Sequence, residues 1–217
     1  TGKYTSLLWE PNEYINIMVY PFTDSQILGI STFPYSLKDF FLEGTQQVSA
    51  SWITLENLSF PYCISINSSY IYEQSTDERI NQNDAAITLA HELGHYLGLR
   101  HVFSEGGTTS MCTDTDYCKD TPSYNRSEYE QWLNNLDKQN KYQLKDLAKR
   151  YSCEKGEYEA HNIMDYAYCF YNEITLEQRK RIRHILNYSP LIPGPKESRI
   201  DTRGVQGRLN LPICIMK

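Results

Sequence analysis

Alternation of apolar and polar residues predicts strands in the first third of the chain. Residues 14–20 alternate up to Pro21, and residues 27–33 form a second candidate that ends at Pro34. Residues 63–72 alternate again. These three runs predict a sheet near the start of the chain.

The third of these runs, residues 63–72, has two interpretations. It lies shortly before a long helical segment, so it could be the edge of a sheet, where unpaired backbone groups can bind an extended peptide by strand addition. An internal strand fits the same alternation equally well. The stretch before it, residues 36–60, is ambiguous, with a strand or turn expected near residues 52–55.

A helical pattern runs from residue 85 to residue 97, where apolar residues recur with helical spacing. Asn83 or Asp84 can cap its start, and Gly98 can end it, because glycine adopts the left-handed conformation that follows many helices. This segment is the best-defined helix in the sequence.

Two further helical regions follow. Residues 127–150 are charged with a discontinuous apolar stripe, which predicts two short surface helices opened by a capping box at residues 127–130. A last helix begins after Thr175 and stops before Pro190, with Ile182, Ile185 and Leu186 expected to face the core. Residues 191–217 contain several prolines and glycines and are expected to be irregular.

The length, charge and hydropathy of the chain limit the number of domains and argue against nucleic-acid-binding and membrane-spanning proteins. The 217 residues suffice for one domain with a sizeable core or for two lobes that share a cleft. A net charge of −6 argues against a nucleic-acid partner, and no stretch is apolar enough to cross a membrane. The first residues lack a charged and then apolar leader, so we expect any signal peptide or pro-segment to be absent from this chain.

Cysteine content suggests an oxidising compartment. The six cysteines are an even number, and four of them cluster in the polar region after residue 101. The alternative is a set of buried free thiols in a cytosolic protein. We favour disulfides and therefore an extracellular location.

The chemistry is concentrated in residues 91–101, which read HExxHxxGxxH. His91 and His95 are one helical turn apart and can direct two imidazoles at one metal ion. After the turn at Gly98, His101 can supply a third imidazole, leaving one position open for water. Glu92 lies beside the metal, where it can take a proton from that water.

A second metal is a weaker possibility. Asp114, Asp116 and Asp120 lie in a polar loop, and their carboxylates could bind calcium. Their spacing matches no EF-hand, so we favour an ordinary solvated loop.

The extended histidine motif, followed at a distance by Met164 in a short tight segment, resembles the metzincin clan of zinc endopeptidases. Several short segments around this motif are similar in sequence to the pappalysin family. The matching segments are residues 101–103, 118–122 and 162–166, Cys169, and the helix over residues 174–183. The first strand is also similar to that family's N-terminal strand. The resemblance covers residues 7–190 and is most specific over residues 88–183.

This resemblance implies an α+β fold. An upper lobe with a mixed sheet and helices, expected over residues 1–98, would face a smaller irregular lower lobe over residues 99–190. Together they would form one metzincin-like catalytic domain, with zinc in the cleft between the lobes. Residues 191–217 would lie outside this domain.

The resemblance also implies roles for individual residues. His91, His95 and His101 would be the zinc ligands and Glu92 the general base, while Met164 would form an apolar floor beneath the metal. Tyr166 occupies the family's tyrosine position, where a phenol can stabilise the oxyanion. The alternative role of Tyr166 is a packed aromatic in a tyrosine-rich chain.

Two family properties bear on specificity and disulfides. Characterised relatives prefer a basic residue after the scissile bond, using an acidic group near the cysteine that follows the methionine. In this chain Tyr168 precedes Cys169, so an apolar or mixed preference is at least as well supported. The family's pattern suggests the disulfides Cys153–Cys169 and Cys112–Cys118, which would leave Cys63 with Cys214.

The sequence thus predicts a secreted or cell-surface zinc endopeptidase, with lipid anchoring as an option, that binds a peptide extended in its cleft as a monomer. The alternative is a non-catalytic extracellular binding protein that zinc stabilises. Glu92 argues against that alternative, because a structural site needs no base.

Overall fold

A computed structural model of the chain describes residues 6–49, 62–103, 105, 113–196 and 213–216. Its regular elements, in chain order, are β1 (Ile17–Tyr20), β2 (Gly29–Thr32), β3 (Tyr35–Leu37), β4 (Gln46–Val48), β5 (Ile64–Asn67), α1 (Ala85–Tyr96), α2 (Arg126–Asn134), α3 (Leu144–Leu147), β6 (Lys149–Ser152), β7 (Gly156–Glu159), α4 (Leu176–Tyr188) and β8 (Ile213–Met216). This mixture confirms the α+β class. The strand or turn expected near residues 52–55 lies outside the described residues.

The main sheet has four strands in the order β1-β5-β2-β8. Strand β1 runs parallel to β5, whereas β2 is antiparallel to both β5 and β8. All four residues of β5 are buried, because β5 has a strand on each side and α1 packs against it. The interpretation of residues 63–72 as a sheet edge is therefore wrong, and the internal alternative is the one the structure has.

The C-terminal residues differ from the expectation of an irregular tail. Strand β8 pairs with β2, with Cys214 opposite Ser31. Because this pairing is made with residues more than 180 positions earlier, the short apolar run at 213–216 gave no local sign of it. The limits of the catalytic domain and its lobes stay a prediction.

The expected disulfides are corrected by the structure. Cys63, Cys118 and Cys169 are buried free thiols, so none of the three expected pairs is formed. The Cys63 carbonyl accepts from Thr32 N on one side of β2, and Cys214 lies on the other side of that strand. Two strand spacings amount to about 10 Å, whereas a disulfide needs Cα atoms closer than about 7 Å. Cys153 is disulfide-bonded, with none of these three thiols as its partner.

The helices predicted from the sequence are present, but one predicted cap and one predicted core residue are wrong. Thr175 and Gln178 form the expected capping box of α4, and α2 and α3 are the two short helices expected in the charged segment. The cap of α2 is Asn125, whose side chain accepts from Glu128 N, so the capping box expected at residues 127–130 is wrong. Leu186 was expected in the core but is 37% exposed.

Two apolar clusters meet at α1. The upper cluster joins β3, β5, α1 and α4 and includes Ile64, Ile66, Tyr96, Ile185 and Leu191. The lower cluster lies on the loops after α1 and includes Leu99, Val102, Phe103, Tyr124, Met164 and Tyr166. Helix α1 therefore lies between the two clusters. No helix among the described residues is long and apolar enough to cross a membrane.

Gly98 ends the run of α1 and redirects the chain. Its φ is +86°, in the left-handed region that residues with a Cβ rarely adopt. A Cβ there would lie 2.7 Å from Ile185 Cγ1 of α4. The sharp turn and the close packing of α4 both require glycine at this position.

We predict that Gly98→Ala lowers the free energy of unfolding by more than Gly156→Ala does. Gly156 has nearly the same φ, +82°, but a Cβ at that position would meet nothing within 4 Å. Both variants carry backbone strain of about 1–2 kcal/mol, and Gly98→Ala adds overpacking of about 1–3 kcal/mol. Urea unfolding of both variants tests this, and equal losses would contradict the proposed packing at Gly98.

Candidate metal centre

Three histidines converge where α1 meets the lower cluster. His91 and His95 lie on α1, and the turn at Gly98 brings His101 back toward them. The Nε2 atom of His101 lies 3.2 Å from that of His91 and 3.0 Å from that of His95. All three rings are buried. They form the one cluster of three or more potential metal ligands found among the described residues.

Each imidazole also bonds an oxygen through its Nδ1 atom. The pairs are His91 with the Ile163 carbonyl at 2.7 Å, His95 with the Leu99 carbonyl at 2.8 Å, and His101 with a carboxylate oxygen of Glu105. Because these oxygens accept, each Nδ1 carries the proton and donates it. The three Nε2 lone pairs are therefore left facing one another.

The rings stay neutral in this environment. Burial lowers the pKa of His91 to about 4. Burial, and then the neighbouring imidazoles, lower the pKa of His95 and of His101 well below the ordinary value. Three neutral lone pairs at this separation repel unless a cation lies between them. The donor set fits zinc, which binds imidazole nitrogen and often takes three protein ligands at catalytic sites.

Glu92 supplies a buried carboxylate on α1, where it directly follows His91 in the chain. It is fully buried, and neither carboxylate oxygen has a hydrogen-bond partner among the described residues. Burial raises its pKa well above the ordinary value. Gly29 of β2 leaves the space it needs, since a Cβ there would lie 2.6 Å from Glu92 Cγ. An unpaired buried carboxylate is costly, so this group also fits a site that receives a positive ligand or a proton.

Met164 lies close to α1 between the two helical histidines. It is fully buried, and a Cβ on Gly94 would lie 2.3 Å from its sulfur atom. The preceding carbonyl, of Ile163, is the one that bonds His91. The methionine segment thus both packs against the helix and orients one imidazole.

The ring of Tyr166 lies next to the rings of His91 and His101. Its ring centroid lies 4.5 Å from that of His101 and 5.5 Å from that of His91. The Arg126 guanidinium lies over the Tyr166 ring, with Cζ 4.5 Å from the centroid. The structure therefore brings Met164 and Tyr166 to the three histidines, and α1 carries Glu92 directly after His91.

Arg150 supports the loop that carries Tyr166 and was not recognised from the sequence. It is fully buried, and Nη2 donates to the Tyr166 carbonyl at 3.1 Å and the Tyr168 carbonyl at 3.0 Å. Ala167 between them has φ +56°, which lets both carbonyls face Arg150. Asp165 Oδ2 lies 3.5 Å from Nε. A lone arginine in a charged segment carries no sequence signal for such a role.

The acidic loop shows no calcium site. Asp116 accepts hydrogen bonds from Cys118 N at 2.9 Å and Thr121 Oγ1 at 2.6 Å, and Asp120 accepts from Glu177 N at 2.9 Å. These carboxylates are used in holding the loop together. The possibility of bound calcium has no support in the described part of the chain.

Comparison with known proteins bears on this site. The family model described as Pregnancy-associated plasma protein-A matches residues 44–187, more than half of the chain. An extracellular metalloprotease of Arthroderma otae is 32% identical over 184 residues, which are 83% of this chain and 51% of that protein. An extracellular metalloprotease of Arthroderma benhamiae is 37% identical over 108 residues, 48% of this chain and 32% of that protein. The chain spans about half the length of the first relative and a smaller part of the second.

Among solved structures, mature mirolysin of Tannerella forsythia in complex with a cleaved peptide is similar to this chain. The TM-score is 0.45 at 22% identity, over 81% of this chain and 53% of that one.

We predict that Arg150→Ala lowers the free energy of unfolding by about 3–5 kcal/mol, because it leaves Asp165 buried without its cation. Arg79→Ala is the control: it also removes an arginine from an aspartate, but that pair with Asp77 is exposed and should matter little. Chemical unfolding of both variants tests the difference. Similar small effects in both would contradict the support of the Tyr166 loop by Arg150.

Proposed function

Because this chain belongs to the pappalysin family of metzincin-clan metalloproteases, we propose that it is a zinc-dependent endopeptidase with Glu92 as its general base. One observation carries this proposal: three imidazole lone pairs converge in a buried space, and the helix that supplies two of them also carries Glu92, a fully buried carboxylate without a hydrogen-bond partner among the described residues. Both features cost free energy unless the site holds a cation and a substrate or water.

His91, His95 and His101 would hold the ion through Nε2, with their Nδ1 protons fixed by the oxygens they bond. When bound, zinc would supply Lewis acidity, polarising the scissile carbonyl and lowering the pKa of water. The remaining chemistry falls to side chains of this chain.

Glu92 would move the proton. Its carboxylate would accept a proton from the attacking water and deliver it to the nitrogen of the leaving amine. Burial raises the pKa of Glu92, which makes the carboxylate a stronger base than an exposed one. The packing of the Glu92 side chain against Gly29 would hold the carboxylate in one position during this transfer.

Tyr166 would stabilise the charge that develops on the carbonyl oxygen. Its ring packs against His101, and Arg150 holds its backbone, so the phenol is positioned before substrate arrives. Met164 would serve as the apolar floor, filling the space that Gly94 leaves under α1. The substrate would lie extended in the cleft beside α1.

The non-catalytic alternative is not favoured. A zinc site that only stabilises a fold is closed by protein ligands, and it gains nothing from an unpaired buried carboxylate next to the metal. We further propose that the protein acts outside the cell, which the relatives named extracellular metalloproteases support.

We predict that Glu92→Gln retains equimolar zinc but loses turnover by about 10²–10⁴-fold, since the amide cannot accept the proton. The measurement is hydrolysis of a peptide mixture followed by mass spectrometry, with metal content determined on the same samples. Glu154→Gln, an exposed glutamate in the turn between β6 and β7, is the matched control and should cleave like the unaltered protein.

Two results would argue against the assignment. Cleavage by Glu92→Gln near the unaltered rate would remove Glu92 as the base. Cleavage by the unaltered protein that survives complete removal of metal by a chelator would remove the metal from the reaction.

A further inference from the structure

A cavity of about 210 Å³ lies next to the candidate metal centre. Its apolar wall is built from six residues: Leu28, Tyr70, Tyr124, Tyr129, Tyr166 and Ala167. An engineered apolar cavity of about 150 Å³ can hold benzene, so this volume admits an aromatic ring. Four of the six wall residues are aromatic themselves.

The cavity is bounded by one proposed catalytic side chain and by the chain neighbour of a residue that packs against the other. Tyr166 is part of its wall, and the Tyr166 ring contacts His101. Leu28, on another part of the wall, directly precedes Gly29, which packs against Glu92. A side chain that enters the cavity would therefore belong to a residue close to the bond being cut.

Three of the four tyrosines of the wall offer rings and little hydrogen bonding. Their hydroxyl groups already donate to other parts of the chain, and these bonds are Tyr70 to Ser25 O at 2.6 Å, Tyr124 to Asp165 Oδ1 at 2.5 Å and Tyr129 to Leu147 O at 2.7 Å. An apolar ring can pack against such a wall without leaving a hydroxyl unpaired.

The charges at the cavity are already paired. Glu130 is the one carboxylate among the described lining residues, and Arg126 Nε donates to its Oε1 atom at 2.6 Å. The same guanidinium lies over the Tyr166 ring. A lysine or arginine of a substrate would therefore meet the Arg126 cation and a carboxylate that is already paired. Its acceptor would be an uncharged amide oxygen, that of Gln82, which has no hydrogen-bond partner among the described residues.

We propose that this cavity binds an aromatic side chain of the substrate next to the scissile bond, and that the Arg126–Glu130 pair excludes basic side chains from it. The proposal rests on the proposed peptidase function and names its substrate class. Arg126 is on this view a residue that determines specificity, because it neutralises Glu130 while leaving the apolar wall intact.

The test is mass-spectrometric mapping of cleavage sites in a proteome-derived peptide library. The unaltered protein should cut at least about tenfold faster where one fixed position beside the scissile bond is Phe, Tyr or Trp than where it is Lys or Arg. Arg126→Met frees the Glu130 carboxylate and should raise cleavage beside Lys and Arg. Adding Glu130→Gln to that variant should reverse the rise, which separates charge from any loss of packing.

A second pair of variants tests the volume. Leu28→Phe fills part of the cavity and should reduce cleavage beside aromatic residues more than cleavage beside alanine. Leu28→Met nearly conserves volume and should retain the aromatic preference. Equal rates for aromatic and basic residues in the unaltered protein, or an unchanged preference in both Arg126→Met and Leu28→Phe, would overturn the proposal.

If the unaltered protein cuts nothing, the proposed function fails and the cavity is tested by binding. Fluorescence anisotropy would compare a labelled peptide containing one central Tyr with the same peptide containing Ala, using the zinc-loaded Glu92→Gln protein. About tenfold tighter binding of the Tyr peptide, lost in Leu28→Phe, supports the cavity assignment. Equal binding of the two peptides refutes it.

Discussion

The structure depends on a single constraint, the convergence of three imidazole nitrogens in a buried space. Each ring is oriented by an oxygen at Nδ1, so the three Nε2 lone pairs converge, with His101 Nε2 3.2 Å from His91 Nε2 and 3.0 Å from His95 Nε2. This arrangement is unfavourable by itself and becomes favourable when a cation enters. The same helix carries a second unfavourable feature, the Glu92 carboxylate, which is buried with no partner among the described residues.

The rest of the fold holds these groups in place. Helix α1 lies between the upper and lower apolar clusters, so the two histidines and Glu92 it carries cannot move away from the site without disrupting a core. Below the helix, the methionine segment contributes the Ile163 carbonyl to His91 and the Met164 side chain to the space left by Gly94. The charged segment then adds Arg150, which fixes the backbone on either side of Ala167 and with it Tyr166. Specificity would come from the cavity beyond that tyrosine.

The parts of this arrangement that local sequence determines were predictable. The spacing of His91, His95 and His101 around Gly98 is a local geometric requirement, and the capping box at Thr175 is made by residues three positions apart. The predictions that were wrong concern features that depend on contacts between residues far apart in the chain. Strand β5 has the alternation of either an edge or an internal strand, and only its pairing with β1 and β2 decides between them. The expected pair Cys63–Cys214 is wrong because β2 separates the two residues. Arg150 was not recognised because its partners are 15 to 18 residues away in another loop.

The central claim is that the three histidines bind zinc, and X-ray absorption at the zinc edge tests it most directly. Protein loaded with equimolar zinc should show three imidazole nitrogens at about 2.0–2.1 Å and one further light atom, with no sulfur neighbour. The described chain offers a real competitor, since Cys63, Cys118 and Cys169 are free thiols. Sulfur neighbours at about 2.3 Å, or fewer than three imidazoles, would contradict the account.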